Sequence, residues 1–317
     1  MRLSIIAGLG IIAITAGLIA CSDDEKPAES GKLNVVTTLP LFADFVREIG
    51  GDRVEVSSLL PLGSDPPTWE PSPSDVERVA QADIAFGNGL DLEPAASKVI
   101  EPNLDGSAPF VLLAEKAEEA GATVAKLPEG FEEEGEAAAP QGGEPGDDPH
   151  MWMDPANAVL YVGIIRDSLT KADPGGKSSY DTNYDGYVST IEDVKSYVSD
   201  KVNDVPKTNR KLVTTHDAFG YFARAYGLSI VAFVAPSPGQ ETSPQDIANL
   251  SKAMKDERVP AVFVEPQVHA ESEILRQAGD DAGVQVCTLY SDSLDDKVST
   301  YIELLRFNAD ELARCLA

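Results

Sequence analysis

The chain contains three histidines, and two of them stand in short contexts suited to holding a metal. One is Asp148-Pro149-His150-Met151-Trp152-Met153-Asp154-Pro155, the other Thr214-Thr215-His216-Asp217-Ala218-Phe219-Gly220-Tyr221-Phe222. Imidazole suits zinc and its neighbours in the first transition row, and a neighbouring carboxylate can orient the ring, so Asp217 and, further on, Glu265 are candidates for that supporting role. His269 immediately precedes a helical pattern that begins near Glu271 and reads as the start of that helix rather than as a ligand. Trp69 and Trp152 read as packing around a metal cleft. The chain has no His-Glu-x-x-His, no Gly-x-Ser-x-Gly, no Gly-x-x-x-x-Gly-Lys and no dinucleotide glycine fingerprint after Val36 or Leu60, which removes the common hydrolase and nucleotide chemistries.

The elements that must position these residues alternate between strand and helix. Residues 33–38 form a β-branched run, and Phe42, Phe45, Val46 and Ile49 then recur at helical spacing before Gly50-Gly51 ends the helix. Further strands are predicted at 54–60, 84–86 and 110–113, with a helix over 74–81 capped by Ser72 or Ser74. A long amphipathic helix is predicted over 173–206, started by Asp173 and Pro174 and spanning roughly 45 Å. Strands at 211–215, 230–234, 261–264 and 284–289 then alternate with helices at 218–226, 244–254 and 271–282, and a terminal helix runs over about 295–315. The predicted fold class is α/β, two Rossmann-like lobes with mostly parallel sheets joined by the bridging helix, which limits how far the halves can hinge. In open α/β sheets ligands bind beyond the carboxyl ends of the strands, which is where His216 falls.

Composition sets the outer bounds. A chain of 317 residues with 43% hydrophobic content can bury two ordinary cores. Its 53 acidic against 25 basic residues give a formal charge of −28, which repels nucleic acid and anionic headgroups. Residues 1–20 read as a secretory signal, with Arg2 before an apolar run, and Leu18-Ile19-Ala20-Cys21 resembles the lipobox of bacterial lipoproteins, making Cys21 the lipidation site. A plain transmembrane anchor is the alternative. Residues 21–32 then form a lipidated tether, 33–172 the first lobe, 173–206 the bridge and 207–317 the second lobe. Within the first lobe, residues from about 127 to 148 are rich in Gly, Glu, Ala and Pro and read as an acidic loop.

In order along the chain stand Gly63-Ser64-Asp65-Pro66-Pro67-Thr68-Trp69-Glu70-Pro71-Ser72-Pro73-Ser74-Asp75, the His150 and His216 motifs, Phe263-Val264-Glu265-Pro266-Gln267, and Tyr290-Ser291-Asp292-Ser293-Leu294. Together with the lipobox, this succession resembles the solute-binding proteins of metal-ion ABC transporters, the zinc and manganese group, from Leu33 to the C-terminus. The resemblance implies a metal in the cleft between the lobes, held by His150 from the first and by His216 and Asp292 from the second, and passed to a permease with its ATPase subunit. Histidine at the His216 position matches the zinc-type pattern, with manganese as the other candidate ion. It also implies an extracytoplasmic, lipid-anchored monomer.

One position departs from the family. Its first histidine belongs in an Asp-Pro-His motif, and this chain reads Asp65-Pro66-Pro67 there. Water, Asp65 or Glu70 can complete the shell; His269 can swing in; or tight binding has been lost. Hence two further readings stand beside the transport one: a degenerate binding protein acting in surface adhesion or scaffolding, and a zinc hydrolase with three ligands, an open coordination position and Asp65, Glu70 or Asp217 as base. Once Cys21 is lipidated, Cys287 and Cys315 are left, to pair outside the cytoplasm, stay as buried thiols, or hold a second metal through sulfur.

Overall fold

The structure, a computed structural model, describes residues 31–127 and 146–317. The signal segment, Cys21, most of the tether and most of the acidic loop lie outside the described residues. None of the described helices is long and apolar enough to cross a membrane.

The first lobe runs β1 (Leu33–Thr37), α1 (Pro40–Gly50), β2 (Val54–Ser58), α2 (Pro73–Ala80), β3 (Ile84–Gly87), α3 (Pro94–Asn103), β4 (Phe110–Leu112) and α4 (Leu113–Glu119). Its four strands pair in parallel in the order β2-β1-β3-β4. Helix α1 starts with Pro40, buries Phe42, Phe45, Val46 and Ile49, and ends at Gly51, whose φ of 53° suits glycine. Helix α2 is capped by Ser72, whose N–H donates to Asp75 Oδ2 at 2.6 Å. That selects Ser72 over Ser74 as the cap.

Helix α5 (Pro155–Ala172) follows, then α6 (Lys177–Asp204). The second lobe runs β5 (Lys211–His216), α7 (Gly220–Tyr226), β6 (Ser229–Ala235), α8 (Pro244–Asp256), β7 (Ala261–Val264), α9 (His269–Ala282), β8 (Gln285–Thr288) and α10 (Tyr301–Cys315). Its strands are again parallel, in the order β6-β5-β7-β8. The α/β class with two parallel sheets and a long joining helix is therefore the one the sequence predicts.

The largest departures are two helix boundaries and one unpredicted helix. The bridge begins at Lys177 because Pro174–Gly176 turn as a separate short 3-10 segment. Helix α5 was not among the predicted elements. It packs against α1, α4 and α6, so apolar residues occupy most of its circumference and the amphipathic contrast disappears. Helix α10 begins at Tyr301, not near 295, because Asp295 Oδ1 accepts from Lys297 N at 2.8 Å and Val298 N at 2.9 Å, closing a turn, and Thr300 then caps the helix by accepting from Glu303 N.

One apolar core runs through both lobes. It joins Phe42, Phe45 and Val46 to Trp152, Tyr161, Ile191, Val198, Phe222, Phe263, Tyr301 and Leu305. Helices α1 and α5 of the first lobe and α10 of the second all pack along α6. At 28 residues, α6 is about 42 Å long. Cys287 on β8 is disulfide-bonded to Cys315 at the end of α10, with Cα atoms 6.7 Å apart, which fastens the last helix to the second sheet.

Candidate metal centre

His216 is the last residue of β5, where it follows Val213, Thr214 and Thr215 in a strand paired on both sides. The strand order reverses between β5 and β7, so His216 and Glu265, the first residue after β7, sit together at the switch point where α/β sheets open a crevice. Glu265 Oε1 lies 3.1 Å from His216 Nδ1. Thr215 Oγ1 and Ser291 Oγ also donate to the Glu265 carboxylate, and Gln267 Nε2 donates to Ser291 Oγ at 2.9 Å. A buried carboxylate with these partners fixes Nδ1 as the protonated nitrogen and leaves Nε2 as the free donor atom.

His150 is held in the same manner by a residue the sequence reading did not single out. Asp148 Oδ1 accepts from His150 N at 3.0 Å and lies 2.8 Å from His150 Nδ1. Pro149 between them keeps this segment extended enough for the side chain to fold back. Asn88 Nδ2 donates to Pro149 O at 2.9 Å, and Tyr221 OH donates to Asp148 O at 3.1 Å. The Trp152 ring stands edge-on to His150 with centroids 5.6 Å apart, and its Nε1 donates to Ser291 O at 3.2 Å. Trp152 thus packs at the cleft as predicted; Trp69 instead packs against the apolar cluster of Val36, Leu59, Val79 and Ile100 in the first lobe.

Asp292 lies in the loop after β8 and is fully buried at its side chain. The three side chains meet: His150, His216 and Asp292 each offer a donor atom within 4.8 Å of the others. His216 Nε2 is 3.0 Å from Asp292 Oδ2, and His150 Nε2 is 3.4 Å from Asp292 Oδ1. Neither contact is a hydrogen bond, and His216 Nε2 and both Asp292 oxygens have no hydrogen-bond partner. Donor atoms around a tetrahedral zinc ion, each about 2.1 Å from it, stand roughly 3.4 Å apart, so this spacing fits a shared cation better than mutual bonding.

The charges agree with that geometry. Burial would lower the His150 and His216 pKa values, but Asp292 and Asp148 raise the first, and Glu265 and Asp292 raise the second well above the usual imidazole range. Burial would raise Asp292, yet the two imidazoles hold its carboxyl below its usual value. A buried anion facing two rings through their Nε2 atoms is a ready cation site. A cavity of about 210 Å³ reaches His150 and His216 and is walled by Pro67, Leu92, Pro149 and Pro236.

Other candidates fall elsewhere. Asp217 is buried, with its pKa pushed up to about 6 by burial and by Asp148, and stands outside the three-donor group. Asp65 is also buried and outside it. Glu70 is exposed on the stretch leading into the Ser72 cap of α2 and stands outside the three-donor group. His269 is the exposed first residue of α9.

Residues 35–315 match the family model described as "Zinc-uptake complex component A periplasmic". The chain is 29% identical over 311 residues to the metal ABC transporter substrate-binding lipoprotein FimA of Streptococcus parasanguinis, covering 96% of each chain. It is 30% identical over 304 residues to the manganese-binding lipoprotein MntA of Halalkalibacterium halodurans, covering 95% of this chain and 94% of that one. The solved periplasmic zinc-binding protein TroA of Treponema pallidum superimposes with a TM-score of 0.78 at 32% identity, over 90% of this chain and 100% of that one. Matched over nearly its whole described length in sequence and in fold, the chain belongs to the zinc-uptake complex component A (ZnuA) family of metal ABC transporter substrate-binding proteins.

Proposed function

We propose that this protein captures a divalent transition metal, zinc in preference to manganese, with His150 from the first lobe and His216 and Asp292 from the second, and hands it to the permease of an ABC importer powered by its ATPase subunit. The observation that carries the reading is the convergence of the two imidazoles on the unpartnered oxygens of Asp292. Two nitrogens and one carboxylate favour zinc over manganese, which prefers oxygen-rich shells. The named relatives divide between the two ions, MntA being called manganese-binding and TroA zinc-binding. The relatives called lipoproteins support anchoring through Cys21 on the outer side of a bacterial membrane. The protein acts as a carrier without catalysis: the family is a transport component, and the metal is cargo rather than a reagent.

Calorimetric titration of the chelator-stripped mature chain with zinc and then manganese, beside His150→Ala and His216→Ala, tests this reading. One-to-one zinc binding that either substitution abolishes is the expected result. The absence of binding to either metal overturns it.

A further inference from the structure

Asp65 lies on the loop after β2, and this loop is fastened to the opposite lobe. Gly63 N donates to Leu294 O at 2.8 Å, a contact made two residues before Asp65 and two residues after Asp292. On another side, a Cβ placed on Gly239 would stand 3.1 Å from Thr68 Cγ2, so the two ends of the 63–68 stretch touch two loops of the second lobe. Thr68 Oγ1 donates to Asp65 Oδ2 at 2.7 Å, which orients the carboxylate, while Oδ1 is buried with no hydrogen-bond partner. The charges of Asp292, His216 and Glu265 all act on this carboxylate, and burial pushes its pKa up to about 6. A buried carboxylate oxygen without a partner is costly, and structures keep such groups where a ligand satisfies them. His216 Nε2, Asp292 Oδ1 and Asp292 Oδ2 are likewise buried without a hydrogen-bond partner.

We infer that Asp65 Oδ1 is the fourth donor to the metal, completing a shell of two imidazoles and two carboxylates. The inference rests on the metal-binding reading above. Asp65 stands outside the group within 4.8 Å, so a divalent ion draws the 63–68 loop inward as it binds. A divalent ion displaces any proton from the ligating Nε2 atoms, and with both imidazoles then neutral two carboxylates balance its charge. The added oxygen makes the shell harder and narrows the preference for zinc over manganese. Pro67 lines the cavity beside His150 and His216, so a ligating side chain at 67 reaches the same ion and can take over the part of Asp65.

The test is competition titration of the stripped full mature chain against a chromophoric chelator, for zinc and for manganese, with Asp65→Asn, Pro67→His and the double variant. Asp65→Asn keeps the side-chain shape and an oxygen for Thr68. It is expected to weaken both ions by about tenfold or more, manganese the more strongly, and to alter the visible spectrum of the cobalt-loaded protein, with no fall in the metal-free Tm. Because the histidine of Pro67→His replaces the carboxylate, Asp65→Asn is expected to cost less than about threefold in that background, a coupling a merely structural aspartate does not produce. Zinc binding that His150→Ala abolishes but Asp65→Asn leaves unchanged, with an unchanged cobalt spectrum, overturns the assignment of Asp65 alone. No metal binding by the unmodified chain overturns the carrier reading and this inference with it.

Discussion

Replacing Glu265 by glutamine removes a charge while keeping the shape around His216. Glu265 Oε1 is 3.1 Å from His216 Nδ1, and an ion bound at Nε2 lies across the ring, roughly 7 Å from the carboxylate given a zinc–nitrogen distance of about 2 Å. At an effective dielectric constant of about 20, a carboxylate and a divalent ion at that separation attract by roughly 4–5 kcal/mol, an upper bound because Asp292 already balances part of the ion's charge. Groups that orient a ligating histidine contribute about 10–100-fold in affinity, or roughly 1.4–2.7 kcal/mol, which lies inside that bound. The amide oxygen of Glu265→Gln can still face His216 and Thr215, but its NH2 then points at Ser291 Oγ and at the donor Gln267 Nε2. Zinc affinity, read by chelator competition at fixed pH and salt, should therefore fall about 10–100-fold with stoichiometry retained. A change below about threefold would show that the Glu265 carboxylate neither sets the tautomer nor tunes the basicity of His216.

Two other outcomes concern stability. Glu93 is fully buried, accepts from Asn88 N at 2.6 Å and Thr38 Oγ1 at 3.0 Å, and burial pushes its pKa from 4.5 up to about 7. The folded state thus binds more protons than the unfolded one between those values, and stability contributed by the protonated group is lost as pH rises through about 7, by roughly 3 kcal/mol. Glu93→Gln should flatten the fall in unfolding free energy of the metal-free protein between pH 5 and pH 8 in urea titrations; a slope equal to that of the unmodified chain refutes the assignment. The Cys287–Cys315 bridge closes a loop with a sequence separation of 28, worth roughly 3–4 kcal/mol through the unfolded chain. Paired Cys287→Ser and Cys315→Ser should lower the unfolding free energy by about that amount and leave zinc affinity within about twofold, whereas a large loss of affinity would mean that the bridge positions the Asp292 loop.

The main features were legible because the strands are short and bounded. Residues 211–215 read as a strand with His216 just past its end; the strand takes in His216, and the strand order then carries it to the switch point beside Glu265. Other features are tertiary. Helix α5 packs against three other helices, which leaves it only a narrow polar face. Asp148 carried a local signal, a carboxylate two residues before a histidine across a proline, and its contact with Nδ1 gives that pattern a physical meaning. Thr215, Gln267 and Ser291 come from three separate segments, so no spacing in the sequence joins them. Glu70 and Asp65 look alike as nearby acids; the loop contacts of Gly63 and Thr68 bury one, while the approach to α2 leaves the other in water.

The segment that carries His150 is tied to both lobes, and this limits how the ion can leave. Trp152 Nε1 donates to Ser291 O, Tyr301 OH donates to Trp152 O at 2.7 Å, and Asp44 of α1 accepts from Tyr301 N at 2.8 Å. Separating the lobes as rigid bodies breaks these bonds, at about 1 kcal/mol each, and draws the buried Trp152 ring toward water. At about 25 cal/mol per Å² over the 150–250 Å² a large aromatic buries, that exposure alone costs roughly 4–6 kcal/mol. Helix α6, packed against α1, α5 and α10 together, resists the same motion along its length. The cavity already reaches both imidazoles, and its walls include Pro67 on one lobe and Pro236 and Pro238 on the other. Displacing those proline-bearing loops leaves Trp152 and the shared core in place and breaks the Gly63 N–Leu294 O bond, at about 1 kcal/mol, so loop movement costs less than separating the lobes.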